Sequence, residues 1–331
     1  MDIERPTMKM LPGDEVRQIM WRIAERYDIQ MAIAGARSVA RGLIAKLVAD
    51  GQRKTHEWTP EKQSMFDAFD ASGVTAATLN ADCGGLFEGP RNLAESMLTY
   101  ETAWVDNGAA TSSFVNALAM GPIAELGTPE QKKRYMTLCA PGNESGKTWR
   151  GSFALTEPLP YVGVDTGVLC GRVSIAEWKD GEEPMIRVEK RGRFITNIAI
   201  ADYVTIAVNS GDDRIKGSCM VVVEATDPGK FDRGAQTLKC VHQLSNTGDP
   251  VIDVVVPASR IIGGYAVKDG MIVPNLSHSE IIAQVFSKTR VGVGVMGAAS
   301  LMSAVEPVIR YQRTRFRGAA GVAEESPRYK L

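Results

Sequence analysis

Ser152-Phe153-Ala154-Leu155-Thr156-Glu157-Pro158 is a short β-forming run that closes on a hydroxyl, a carboxylate and a proline. A strand of this kind offers alternate backbone groups along one edge, and Thr156 then adds a side-chain hydroxyl where it stops. Further along, Phe194-Ile195-Thr196-Asn197 has a similar make-up, an aromatic and a branched residue followed by two polar ones. Either run alone is ordinary β-core text. Their value lies in where they stand, because the chain changes character at the first of them.

Upstream, residues 1–150 read as helices. Asp14 caps a segment whose Val16, Ile19, Met20 and Ile23 recur at helical spacing. Thr59-Pro60 places a capping residue before a proline suited to the first helical position, and Gly73 closes that helix. Leu93, Met97, Leu98, Glu101 and Trp104 keep the period, and Thr128-Pro129-Glu130-Gln131 is a proline start with a capping box. Downstream, the runs 152–156, 203–208, 219–224 and 251–256 are β-rich. Turn chemistry such as Asp227-Pro228-Gly229 and Thr247-Gly248-Asp249-Pro250 separates them. Strands at this spacing predict a sandwich or barrel. Helix resumes at the capping box Ser277-His278-Ser279-Glu280, with Ile281, Ile282, Val285, Phe286 and Thr289 on one face. Gly292, Gly294 and Gly297 weaken that helix by about 1 kcal/mol each unless a neighbour packs closely on it. Pro307 is expected to kink it.

The expected class is therefore α+β, with a helical domain at 1–150, a β-domain at 151–270 and a helical segment at 271–331. A chain of 331 residues is long enough for such a division. With 44% hydrophobic and 23% charged residues it has an ordinary globular composition. A net charge of -1 gives no reason to expect nucleic acid or an anionic membrane surface. No uninterrupted apolar run approaches the roughly 20 residues of a membrane span. Met1-Asp2-Ile3-Glu4-Arg5 resembles neither a signal nor a transit peptide. Cys83, Cys139, Cys170, Cys219 and Cys240 are odd in number and widely spaced, as expected of buried or partly buried thiols in a reducing, cytoplasmic setting. His56, His242 and His278 form no ligand pattern, and no metal site is expected.

In order and spacing, the two opening runs resemble the A-x-T-E-P and W-I-T-N segments of the acyl-CoA dehydrogenase family. Asp82-Cys83-Gly84-Gly85 and Gly127-Thr128-Pro129-Glu130-Gln131-Lys132 look like that family's GG turn and G-T-x-E-Q-K helix start. Val254-Val255-Val256-Pro257 and Lys288-Thr289-Arg290 match its V-x-V-P and K-T-R. The resemblance runs from about residue 60 to the C-terminus. It implies FAD as cofactor, an acyl-CoA substrate, and an electron acceptor such as electron-transfer flavoprotein, in fatty or aromatic acid degradation. It places the backbone of Phe153 and Leu155, the hydroxyl of Thr156, the ring of Phe194 and Thr196 at the isoalloxazine. Arg315 would reach the cofactor of an adjacent subunit. Phe286, Ser287 and Arg290 match an F-D-K-T-R set that lines the CoA channel, with Ser287 in place of aspartate. Val164 falls where a serine would hold the pantetheine arm. Thr111, Phe114 and Val115 are expected in the acyl pocket wall.

Family members remove an α-proton with a carboxylate while hydride passes to the flavin. At one family position for that base this chain has Thr289, and the other lies beyond Leu331. The chain also carries only the first long helix of the family's C-terminal bundle, and one amphipathic helix cannot bury its own apolar stripe. The expectation is an FAD-dependent dehydrogenase subunit in a homo- or hetero-oligomer, its bundle completed by a partner that carries the base. Two other readings stand beside it: a non-catalytic subunit of such a complex, and a flavin oxidase or monooxygenase of the same fold. If a base does reside in this chain, Glu101 is the first expected.

Overall fold

A computed structural model describes residues 26–88, 91–159, 168–237 and 241–314, with side chains described as far as residue 311. The N-terminal layer is built from α1 (Tyr27–Val39), which runs through a π-helical turn at Ala40–Ile44 into α2 (Ala45–Ala49). It continues with α3 (Pro60–Ala71), α4 (Asn92–Ala103), α5 (Asn107–Leu126) and α6 (Pro129–Cys139). The helix starts follow local chemistry. Thr59 accepts from the Lys62 N–H at 3.2 Å with Pro60 behind it, and Asp106 accepts from the Ala109 N–H at 2.7 Å. Thr128 and Gln131 form the full capping box. The Gln131 amide goes further and donates to the carbonyls of Ser259 and Ile261 at 2.7 Å each, tying α6 to the β-layer.

The β-layer is a curled seven-stranded sheet in the order β1-β5-β2-β3-β9-β7, with β6 on β5. Its strands are β1 (Gly151–Ala154), β2 (Arg172–Glu177), β3 (Met185–Arg191), β5 (Tyr203–Ser210), β6 (Ser218–Glu224), β7 (Gly229–Asp232) and β9 (Val251–Pro257). On one side β5 takes β6 antiparallel; on the other it takes β1 and then β2, both parallel. Two short pairs complete the layer, β4 (Ile195–Thr196) with β8 (Thr247–Gly248) and β10 (Tyr265–Lys268) with β11 (Met271–Pro274). The last pair is a hairpin whose turn residues Asp269 and Gly270 both have positive φ. The domain boundary expected at residue 270 would cut this hairpin. Residues 271–274 are strand, and helix begins only at His278.

The last element, α7 (His278–Thr314), opens with reciprocal Ser277 and Glu280 bonds and continues without a break in its helical assignment past Pro307. Its three glycines divide by environment. A Cβ at Gly292 would lie 2.6 Å from the Phe114 ring, whereas Gly294 and Gly297 have nothing within 4 Å. Met296 and Ala299 pack on Ala103 and Ala110 of the N-terminal layer. The opposite side exposes Val291, Val293, Leu301, Val308 and Tyr311. An 18-residue window of α7, rich in valine, is apolar enough that by length and composition alone the helix could cross a membrane.

One large cluster joins α5 and α6 to β1, β5, β6 and the start of α7, bringing Phe153 and Leu155 together with Met120, Tyr203 and Val285. The cysteines split. Cys83, Cys139 and Cys219 are buried, and burial pushes Cys139 and Cys219 up to about 12. Cys170 is exposed, contrary to expectation, because it sits in the turn leading to β2. Cys240 lies outside the described residues.

Candidate active site

Among the described residues β1 has a strand on one side only, and its end is held in place by a buried ion pair. Glu157 accepts from the N–H groups of Cys170 and Gly171 at 2.6 and 2.7 Å, and its carboxylate lies 2.7 Å from Lys190 Nζ on β3. Lys190 also donates to the carbonyls of Leu155 and Ala207. The Leu155 carbonyl is thus committed to the protein. Thr156 exchanges two bonds with Arg193: its hydroxyl donates to the Arg193 carbonyl at 2.5 Å, and its carbonyl accepts from the Arg193 N–H at 3.0 Å. The Thr156 hydroxyl keeps acceptor capacity for a ligand.

Beside this strand end stands Phe194. Its φ is 59°, a conformation that a bulky residue adopts only under constraint. Its N–H is fixed by Asp249 Oδ1 at 2.9 Å, and its ring is 53% exposed with the Arg193 guanidinium 4.8 Å from its centroid. The result is an aromatic face held out at a chosen angle rather than folded into the core. Thr196 pairs with Thr247 across β4–β8, and its carbonyl accepts from the Ser152 hydroxyl at 2.8 Å. Asn197, also at positive φ, donates to the Ser112 carbonyl at 2.7 Å.

Around these residues, Arg193 Nε, Asn197 Oδ1, Ser112 Oγ and Thr247 Oγ1 are buried without a hydrogen-bond partner among the described residues. Buried polar atoms are normally satisfied, so a cluster of orphans next to an exposed aromatic face marks a place for a polar, planar ligand. An isoalloxazine ring with its polar pyrimidine edge fits that description.

A second feature adjoins it. A cavity of about 330 Å³ opens between α4, α5 and α7, lined among others by Glu95, Thr99, Phe114, Met120, Ser287 and Thr289. Phe286 links the two features, its ring 6.1 Å from that of Phe153. Arg290 is exposed, 5.8 Å from the Phe286 ring centroid, and the Ser287 hydroxyl donates within its own helix to the Gln284 carbonyl. Of the three residues expected in the pocket wall, Phe114 lines the cavity; Thr111 and Val115 do not. Val164 and Arg315 lie outside the described residues.

Glu101 is not the carboxylate this cavity offers. Arg37 grips it with two bonds of 2.6 and 3.0 Å, Arg41 stands 3.5 Å away, and only 1% of its side chain is exposed. Glu95, which sequence reasoning passed over, lines the cavity instead. Burial raises its carboxyl above the ordinary range, with the nearby Arg91 and Lys288 pulling the other way. The one local signal was the Arg91–Glu95 spacing of four on a helix, which by itself reads as a surface pair.

Comparison with known proteins gives consistent matches. Residues 28–143 match the model of the acyl-CoA dehydrogenase N-terminal domain. The chain is 27% identical over 274 residues to a short-chain-specific acyl-CoA dehydrogenase of Megasphaera elsdenii, covering 82% of this chain and 65% of that protein. It is 25% identical over 248 residues to a probable acyl-CoA dehydrogenase of Bacillus subtilis, covering 74% of this chain and 37% of the relative. The chain thus spans less than two thirds of the length of these curated relatives. Among solved structures, butyryl-CoA dehydrogenase from Megasphaera elsdenii aligns with a TM-score of 0.69 at 22% identity, over 90% of this chain and 71% of that one. An acyl-CoA dehydrogenase complexed with FAD from Bacillus anthracis aligns with a TM-score of 0.69 at 20% identity, over 88% and 46%. A structure described as electron transferring flavoprotein of Acidaminococcus fermentans aligns with a TM-score of 0.67 at 22% identity, over 88% and 69%.

Proposed function

We propose, from the premise that this chain belongs to the acyl-CoA dehydrogenase family, that it is an FAD-dependent dehydrogenase of acyl-CoA thioesters. The observation that carries the cofactor is Phe194, an exposed aromatic ring at positive φ amid unpartnered buried polar atoms. The backbone of Phe153 and Leu155, the Thr156 hydroxyl, Phe194 and Thr196 would hold the flavin, and Arg315 would reach it from a neighbouring subunit. Bound FAD supplies the two-electron acceptor. Phe286, Ser287, Arg290 and Val164 would receive the CoA arm, with the acyl group in the cavity beyond Phe286.

The chain's own residues bind and orient; the proton needs a base. Thr289 on the cavity wall is no base, and Glu101 is held by two arginines. We assign the base to a partner, homo- or hetero-oligomeric, that covers the exposed side of α7. Electrons would leave to an acceptor such as electron-transfer flavoprotein, and the setting would be cytoplasmic.

The test is anaerobic reduction of the flavin by a panel of acyl-CoA thioesters, with the isolated chain and with its partner. A well-placed general base is worth about 10²–10⁴ in rate, so slow bleaching alone and fast bleaching in the complex are expected. Fast bleaching by the isolated chain would overturn the partner assignment and make Glu95 the first base to test. A purified complex that neither carries nor gains thermal stability from FAD would overturn the cofactor.

A further inference from the structure

The cavity wall is more polar than an alkyl chain requires. Beside Phe114 and Met120 it presents Thr78, Asn92, Ser96, Thr99 and Ser113, together with the pair Arg91 and Glu95 at the start of α4. That pair is unfinished. Arg91 Nε and Glu95 Oε1 are 3.6 Å apart, beyond hydrogen-bond length. Arg91 Nη1 is buried with no hydrogen-bond partner among the described residues. The other cation on this wall, Lys288, is already 2.6 Å from Glu125. The cavity wall therefore holds a buried donor without an acceptor among the described residues, next to a partly exposed carboxylate that its neighbouring arginine does not reach within hydrogen-bond length. Buried polar atoms are normally hydrogen-bonded, so an unpaired donor beside a carboxylate on a cavity wall points to a ligand group that completes the set.

We propose that Arg91 and Glu95 together recognise a hydroxyl carried on the acyl part of the substrate. This rests on the acyl-CoA reading of the cavity given above. One oxygen meets both needs: it accepts from Arg91 Nη1 while its O–H donates to the Glu95 carboxylate. The alternatives each leave a defect. An alkyl chain covers both groups and satisfies neither. A carboxylate accepts from Arg91 but faces Glu95 with like charge. An ammonium faces Arg91 in the same way. The protein that results discriminates among acyl groups by hydrogen bonding at α4 rather than by chain length alone.

The experiment is calorimetric binding of unreactive thioethers to the FAD-loaded full chain: S-hexyl-CoA, its 4-, 5- and 6-hydroxy forms, and S-(5-carboxypentyl)-CoA. The best hydroxyalkyl form should bind about tenfold or more tightly than S-hexyl-CoA, and the carboxylate no more tightly than S-hexyl-CoA. In Arg91→Met and Glu95→Leu the ratio of hydroxyalkyl to alkyl affinity should fall towards one. That ratio is internal to each variant, and the unsubstituted protein alone already tests the preference. If S-hexyl-CoA binds at least as well as every hydroxyalkyl form, the pair is bridged by water alone. The inference then fails while the acyl-CoA reading stands. A hydroxyl preference that persists in both variants also overturns it, since another group must read the oxygen. Binding of none of the thioethers removes the acyl-CoA reading and this inference with it.

Discussion

Lys190 Nζ lies 2.7 Å from the Glu157 carboxylate, and neither side chain has any exposure to solvent. The pair sits under the end of β1 and holds the Leu155 carbonyl and the turn at Cys170 and Gly171. Burial lowers the Lys190 ammonium from its ordinary range, while Glu157 opposes that shift. Lys190→Met leaves the carboxylate buried without its counter-charge and should cost about 3–5 kcal/mol in urea unfolding. The double change Glu157→Gln with Lys190→Met should recover part of the loss, since no charge remains buried. A single-variant cost below about 1 kcal/mol would show that water reaches the pair.

Phe194 tests the separation of folding from cofactor retention. Glycine tolerates the 59° φ, so Phe194→Gly relieves strain in the folded state while freeing the unfolded chain, and the two effects largely offset. The apoprotein should keep its stability within about 1 kcal/mol. Its FAD affinity should drop about tenfold, because the ring face is lost. Unchanged FAD affinity by fluorescence titration would remove Phe194 from the site.

Glu95 supplies a pH signature. Its carboxyl is raised in the folded protein, so the native state binds this proton to higher pH than the unfolded chain does. Its contribution to stability therefore falls as pH rises from the ordinary carboxylate value through the folded one, and the penalty is complete above that. Glu95→Gln should melt higher than the parent at pH 8, by on the order of 1 °C. The difference should fade below about pH 4. An advantage that grows on acidification would reverse the sign and contradict the assignment.

The glycines of α7 give a paired test. Gly294→Ala, in open space, should stabilise by about 0.5–1 kcal/mol through helix propensity alone. Gly292→Ala gains the same propensity but drives a methyl to 2.6 Å from the Phe114 ring, so it should be worse than Gly294→Ala by about 1–3 kcal/mol. Equal effects in denaturant titration would mean that α7 does not approach α5 as closely as described.

The outer side of α7 should be an interface. Val293→Lys with Leu301→Lys should shift the sedimenting species to a smaller mass, because each residue is more than half exposed and apolar in the single chain. Identical sedimentation of parent and variant at micromolar concentration would place the interface elsewhere.

What could be read from the sequence was local. Thr59 and Thr128 cap helices where their spacing says they should, since a cap depends on the next three residues and little else. The strands at 203–210, 218–224 and 251–257 were legible, as the runs 203–208, 219–224 and 251–256, from their concentration of β-branched residues. By contrast, β2 and β3 mix charges with apolar residues, Arg172, Glu177, Arg187 and Glu189 among them, and were missed. Arg172, Glu177, Arg187 and Glu189 face outward while Lys190 of β3 points inward, and the alternation in β2 is broken by a bulge between Ile175 and Glu177. The family motifs drew attention to the segment Phe153–Thr156 and to Phe194, because those runs keep their order along the chain.

The sequence by itself determined several helix starts, the β-rich middle and the family resemblance that its collinear motifs carry. Only the tertiary structure decided that Glu101 is spent on Arg37 while Glu95 faces a cavity, although both are glutamates of the same helix. It also decided that Gly292 is crowded and Gly294 free, and that Lys190 is buried against Glu157 across two strands. The reason is physical. Helix and turn signals arise from neighbours along the chain, whereas burial, and with it the cost or use of a charge, depends on which distant segments pack against a residue.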